Sequence, residues 1–189
     1  MERNNSHSSN GRRTGPAMMH VLTERDLDMI VAYRYKPGTY TVVDNAMTPF
    51  WNWAVTLLPR WMAPNLVTLI GLAVAGASTG IIVAYCPSLA LPVPRWCYVA
   101  AAAGQFIYQT MDAIDGKQAR RTNSSSPLGQ LFDHGCDALA KVFCVVAIVA
   151  CLQFGASWRT MLVFTNIEAV FYLAQWEEYH TGTLNWSNG

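Results

Sequence analysis

Apolar residues in this chain fall in long unbroken runs, separated by short polar segments rich in Pro, Gly and Trp. The first long run, 65–86, reads NLVTLIGLAVAGASTGIIVAYC and carries no charge. About 20 such residues cross a bilayer, so the run predicts a spanning helix opened by Pro64. Its Gly71, Ala75, Gly76, Ala77 and Gly80 form a small-residue face suited to close helix packing. Pro87, Pro92 and Pro94 then mark a turn, and WCYVAAAAGQFIYQTM gives a second span that runs directly into Asp112. Ser126-Pro127 is a helix start, with Ser as N-cap and Pro at the first position; the helix is expected to pass through Asp133 and Asp137 and end near Phe154. Trp158-Arg159 opens a fourth apolar run, interrupted by Asn166 and by Glu168, a carboxylate expected to face the bundle interior. The segment 47–58, MTPFWNWAVTLL, is too short to span and reads as an interfacial helix.

These elements predict an all-α fold, a multi-pass transmembrane helical bundle of about four spans with an N-terminal interfacial helix. Residues 1–22 read as a disordered cytosolic tail without the apolar core of a signal peptide. Residues 23–62 hold cytosolic or interfacial amphipathic helices: Thr23 with Asp26 weakly caps a helix over 24–34, and Pro37-Gly38 makes a turn. The membrane domain covers 63–180, and 181–189 form a short tail.

Composition agrees with that reading. The chain is 52% hydrophobic and 13% charged, where a soluble domain has roughly 25% charged residues. A net charge of +1 and the absence of a basic, aromatic-laced tract argue against nucleic acid as a partner. The five cysteines show neither CxxC pairs nor zinc spacing and read as small hydrophobes. Trp96, Trp158 and Trp176 stand at predicted span ends, as an aromatic belt requires. Lys117, Arg120 and Arg121 lie between spans two and three, whereas Arg95 and Arg159 stand alone in the opposite loops, which places the central loop in the cytosol.

The stretch 112–137, DAIDGKQARRTNSSSPLGQLFDHGCD, concentrates charge where lipid-facing segments make charge expensive. Asp112 and Asp115 are three apart and Asp133 and Asp137 four apart, so each pair shares a helix face. Two neighbouring helices would bring the four carboxylates together, and hard oxygen donors without thiolate suit two Mg²⁺ or Mn²⁺ ions gripping a diphosphate. The competing reading is a pair of acid-decorated helix ends. It is disfavoured for Asp112 and Asp115, which stand at the C-terminal end of a span, where the helix dipole repels anions. Gly116 and Ala119 permit close backbone approach of a phosphate or nucleotide, Arg120 offers a fork for phosphate oxygens, and Gly129 leaves room for a ligand or a helix. His134 can accept a proton from an attacking hydroxyl; spacing alone equally allows a structural histidine.

The pattern D-x2-D-G-x2-A-R-x8-G-x3-D-x3-D is met by Asp112, Asp115, Gly116, Ala119, Arg120, Gly129, Asp133 and Asp137. By this signature the chain resembles the CDP-alcohol phosphotransferases. With WMAPNLVTLIG and LFDHGCDAL it is similar in particular to the eukaryotic choline and ethanolamine branch, over residues 33–183. The resemblance implies transfer of phosphocholine or phosphoethanolamine from CDP-choline or CDP-ethanolamine to diacylglycerol, releasing CMP, in an endoplasmic reticulum or Golgi membrane. It implies that the four aspartates hold two metal ions, that Gly116, Ala119 and Arg120 contact the CDP moiety with Asn65 nearby, and that His134 is the base. The branch often has Glu where this chain has Gln130, which can orient His134 by hydrogen bonding but cannot stabilise an imidazolium by charge. Members of the branch are longer and often dimeric, so the chain is expected to correspond to an N-terminal catalytic half. Two other classes compete. A transporter carries a similar acidic and Arg-rich loop but needs no Asp133 and Asp137, and a truncated, inactive protein would regulate or pair with a full-length enzyme.

Overall fold

The computed structural model describes residues 41–182 together with Thr23, Arg25 and Asp28. The chain divides into two units, Met1–Tyr33 and Arg34–Gly189. In the first, Arg25 and Asp28 are helical, at positions where a short helix is expected. The remainder of that helix, the tail 1–22, the Pro37-Gly38 turn and the last seven residues, 183–189, lie outside the described residues.

The described part of the second unit is all-helical: α1 (Val42–Leu57), α2 (Pro64–Tyr85), α3 (Arg95–Arg121), α4 (Pro127–Leu152) and α5 (Trp158–Thr181). Helix α1 begins five residues before the apolar segment that announces it. Thr41 and Asp44 form a reciprocal capping box, with Asp44 N donating to Thr41 Oγ1 (3.1 Å) and Thr41 N to Asp44 Oδ2 (3.0 Å). That cap satisfies two orphan N–H groups and fixes the helix start at Val42 rather than at Met47. At the start of α4, Ser126 Oγ accepts from Gly129 N at 3.0 Å, with Pro127 at the first position. Helix α5 stops at Gly182, whose φ of +66° is the left-handed conformation glycine adopts without strain.

Helix α3 is continuous: the apolar run and DAIDGKQARR form one helix of 27 residues, so Asp112 and Asp115 ride on the same rod as the span below them. Helices α2 and α4 are both long and apolar enough to cross a membrane. Four spans are expected from sequence. α3 and α5 have the length, at 27 and 24 residues, but charged and polar residues dilute their apolar character below that of the most apolar stretches of α2 and α4. Large apolar side chains point outward on every helix, among them Leu69, Val99, Phe106, Leu139, Leu162 and Leu173. An outward apolar surface of this extent belongs in lipid. Trp96, Trp158 and Trp176 are likewise exposed near helix ends.

Among the described residues the core has three patches. At one end Ile82, Cys86, Val93, Cys97, Ala101 and Ala150 pack together. In the middle Leu72, Ala75, Tyr108, Cys136 and Ala140 join α2, α3 and α4. At the other end Ala54 and Val55 of α1 pack on Val67 and Ile114. The small-residue face of α2 is used in part. A Cβ on Gly71 would meet Met111 Cβ at 2.8 Å, and one on Gly76 would meet Phe143, whereas Gly80 has nothing within 4 Å and Ala77 is exposed. The tightest approach lies about two turns away along α3, where a Cβ on Gly104 would overlap Ser78. All five cysteines are free thiols, as expected.

Gly104→Val should therefore push α2 and α3 apart and cost about 1–3 kcal/mol by overpacking, read as a lower midpoint for loss of helical circular dichroism on heating in detergent. Gly80→Val, facing open space, should stay within about 0.5 kcal/mol of the parent chain.

Candidate functional site

Asp112 and Asp115 are one turn apart on α3, and Asp133 and Asp137 one turn apart on α4. The packing of α3 on α4 brings one carboxylate oxygen each of Asp112, Asp115 and Asp133 within 4.8 Å of one another. Asp137 adjoins this trio through Asp112. Its own carboxylate is turned partly away, with Oδ1 accepting from Tyr108 Oη at 2.9 Å and Oδ2 lying 3.9 Å from Lys141 Nζ. The ammonium of Lys141 also sits 3.6 Å from the centre of the Phe171 ring.

The trio is built into the bundle. Asp115 is 6% exposed and accepts a short hydrogen bond from Thr68 Oγ1 of α2. Asp133 Oδ1 is buried with no hydrogen-bond partner. A buried carboxylate oxygen left unsatisfied is costly unless a cation completes it. Three clustered carboxylate oxygens, together with a buried Asp133 oxygen that lacks a hydrogen-bond partner, suit a hard divalent cation such as Mg²⁺ or Mn²⁺.

The other residues singled out from sequence surround this centre. Gly116 is half-buried, and a Cβ there would meet only Arg120 Nη1, at 3.7 Å, so the exposed guanidinium lies along the glycine's open face. Ala119 is half-buried on the same helix. A Cβ on Gly129 would come 3.5 Å from Asn65 Oδ1, which puts the first turns of α2 and α4 side by side. His134 is half-buried, one residue beyond Asp133. Gln130 Nε2 donates to Glu178 Oε1 of α5 at 2.9 Å, a partner sequence reasoning did not supply.

Two neighbouring polar residues serve the scaffold. Fully buried Gln118 donates from Nε2 to the carbonyls of Pro59 (2.9 Å) and Met62 (3.1 Å), stapling the α1–α2 connection to α3. Arg121, which the loop-charge argument counts only as a cation, donates from Nη1 to the Val55 and Leu58 carbonyls at 2.7 and 2.9 Å, closing the C-terminal end of α1. Lys117 donates to Asn52 Oδ1 at 2.9 Å, and partial burial together with the Arg120 guanidinium lowers its pKa from the ordinary lysine value. Of these basic residues, Arg120 is the exposed one, its guanidinium lying along the open face of Gly116. Sequence reasoning missed Thr68 and Glu178 altogether. A hydroxyl one turn after Asn65 in a span was a weak signal for the first. Tyr108, in the second apolar run, lies in the core, and its hydroxyl also holds Asp137.

A family model described as CDP-alcohol phosphatidyltransferase matches residues 61–184. The chain is 43% identical over 165 residues to cholinephosphotransferase 1 of Xenopus laevis, an alignment covering 86% of this chain and 41% of that protein. It is 42% identical over 170 residues to cholinephosphotransferase 1 of Homo sapiens, covering 89% and 42%. It is also 43% identical over 164 residues to uncharacterized CDP-alcohol phosphatidyltransferase class-I family protein 2 of Dictyostelium discoideum, covering 86% and 40%. The chain therefore spans less than half the length of these curated relatives.

The geometry predicts that Asp112→Asn, Asp115→Asn and Asp133→Asn each weaken Mn²⁺ binding by about tenfold or more. Thr68→Val, which removes only the hydroxyl that orients Asp115, should weaken it by roughly tenfold. The electron paramagnetic resonance signal of free Mn²⁺ during titration of the purified protein measures both.

Proposed function

We propose, since the chain belongs to the CDP-alcohol phosphatidyltransferase family, that it transfers phosphocholine or phosphoethanolamine from CDP-choline or CDP-ethanolamine to diacylglycerol and releases CMP. The observation that carries this reading is the convergence of Asp112, Asp115 and Asp133 from two helices, in a surface whose large outward side chains are apolar. The names of its vertebrate relatives favour the choline donor.

In this reading Asp112, Asp115 and Asp133, with Asp137 beside them, hold two Mg²⁺ or Mn²⁺ ions. When bound, such ions neutralise the diphosphate and the charge that develops on the leaving phosphate oxygen. Arg120, beside Gly116, binds phosphate oxygens of the CDP group, and Gly116 and Ala119 let it come close to α3. Asn65 and Gly129 border the nucleotide where α2 and α4 begin. The acceptor hydroxyl oxygen bonds to the phosphorus that carries choline, the bond from that phosphorus to the CMP oxygen breaks, and the hydroxyl proton passes to His134. Asp137 is fixed by Tyr108 and Lys141, which hold it in place before substrate arrives. An open groove of about 330 Å³, lined by Lys141, Asn166, Ile167, Val170 and Phe171, runs beside Lys141 and gives the acyl chains an apolar approach.

The loop-charge asymmetry favours a cytosolic active site, and the family resemblance favours the endoplasmic reticulum or Golgi membrane and a homodimer. The chief alternative is a non-catalytic chain that pairs with a longer enzyme.

The purified chain in mixed micelles with radiolabelled CDP-choline or CDP-ethanolamine, diacylglycerol and Mg²⁺ or Mn²⁺ should form labelled phospholipid. Asp137→Ala should fall to background, and EDTA should abolish product until excess Mg²⁺ or Mn²⁺ is restored. Equal background-level product from the parent chain and Asp137→Ala would overturn the enzymatic reading in favour of the pairing one.

A further inference from the structure

Lys141 is a cation near the middle of α4, a helix long and apolar enough to cross a membrane. Charge at such a position is costly unless its surroundings use it. Among the described residues, Lys141 Nζ donates one hydrogen bond, to the Asp137 backbone carbonyl at a long 3.3 Å. The Asp137 carboxylate, 3.9 Å from Nζ, attracts the charge but lies beyond hydrogen-bond reach. The Phe171 ring, its centre 3.6 Å away, holds the ammonium by its face and takes no N–H in a conventional bond. An ammonium carries three N–H donors. Its bonding capacity is therefore not filled, and 23% of the side chain stays open.

The open side borders the groove between α4 and α5 that Lys141 lines with Asn166, Ile167, Val170 and Phe171. Asn166 turns an amide N–H back to the Leu162 carbonyl of its own helix at 2.8 Å, and the other three are apolar. Lys141 is thus the cation of a mostly apolar wall, and it stands one turn beyond Asp137, between the groove and the carboxylate centre. An amphiphile with apolar chains and an acceptor oxygen close to its polar end matches that boundary. The Asp137 carboxylate already supplies a negative charge, so a neutral carbonyl fits better than a second anion. A diacylglycerol has this layout: an ester carbonyl lies a few bonds from the free hydroxyl. With its chains in the groove and its hydroxyl toward the carboxylates, that carbonyl comes to the ammonium. A glycerolipid with ether-linked chains has a similar shape and lacks the carbonyl.

We propose, resting on the phosphotransferase reading above, that Lys141 is a specificity-determining residue for the lipid acceptor. Its ammonium donates to the ester carbonyl beside the free hydroxyl, so the chain favours diacylglycerols over ether-linked glycerolipids. A site that supplies a donor for one substrate oxygen discriminates against the analogue without it, because the donor is then left unpaired.

In mixed micelles with CDP-choline and Mg²⁺, the parent chain should use dioctanoylglycerol with a kcat/KM about tenfold or more above that for dioctylglycerol, its diether counterpart. Lys141→Met and Lys141→Thr, which remove the ammonium, should each lower that ratio by about tenfold. Lys141→Arg, which keeps a cation with N–H donors, should hold it within about twofold of the parent. Loss of the Asp137 contact slows both acceptors together and leaves the ratio unmoved, so a merely structural role for Lys141 is told apart. Calorimetric titration of the folded, nucleotide-free chain in detergent with each lipid reads the same ratio as affinities. A ratio unchanged in Lys141→Met and Lys141→Thr, or a parent chain without ester preference, would overturn the proposal. If the parent chain makes no phospholipid, the calorimetric ratio alone decides: an ester preference lost with the ammonium upholds the Lys141 contact while the assigned reaction falls, and equal affinities remove both.

Discussion

Ser78 and Gly104 face each other across α2 and α3 so closely that one added carbon would overlap the serine side chain, and the position of the acidic centre depends on that approach. With Gly71 against Met111 and Tyr108 a few turns away, the two helices run together along much of their length. In lipid, helix association gains little from the hydrophobic effect and relies on van der Waals fit and interhelical hydrogen bonds. The fit here has a chemical result: it brings Thr68 of α2 to Asp115 of α3. A carboxylate that is 6% exposed acquires a hydroxyl partner through backbone proximity that bulkier residues would forbid.

The upper part of α3 is tied down separately. Gln118 and Arg121 donate four hydrogen bonds to carbonyls of α1 and of the α1–α2 connection. These carbonyls belong to a helix end and a turn; those of Val55 and Pro59 also accept from the backbone N–H groups of Leu58 and Met62. The same side chains that satisfy them hold rigid the stretch that presents Asp112, Asp115, Gly116 and Arg120. On the α4 side, Tyr108 and Lys141 restrain Asp137, and Glu178 restrains Gln130. The carboxylate centre is thus enclosed by fixed polar contacts from α2, α3, α4 and α5, an arrangement that places charge before substrate binds.

The roles of the polar residues explain why the site was only partly legible. The two aspartate pairs could be read because helix periodicity places residues three and four apart on one face, and because carboxylates beside apolar spans are costly enough to need a reason. Tyr108 and Arg121 are a different case. A tyrosine in a span and an arginine in a basic loop each have an ordinary explanation, and what they bond to depends on helices 29 and 66 residues away. The small-residue face of α2 illustrates the same limit. Its Gly71, Ala75 and Gly76 meet neighbours and its Ala77 and Gly80 do not, because a residue's side of the helix is local but the neighbour's position is not.

By itself the sequence determined the all-helical class, the starts of α2 and α4 at Pro64 and Pro127, the continuity of the second apolar run with Asp112, and the pairing of carboxylates on each helix. All of these follow from local rules: hydropathy over about 20 residues, capping chemistry and a period of 3.6. The tertiary structure alone decided that three of the four aspartates share one cluster while Asp137 leans toward Tyr108 and Lys141, that Thr68 serves Asp115, and that a buried glutamate from the far end of α5 meets Gln130. Those contacts are set by the separation and rotation of packed helices, which small side chains such as Gly71 and Gly104 permit but which no stretch of sequence encodes locally.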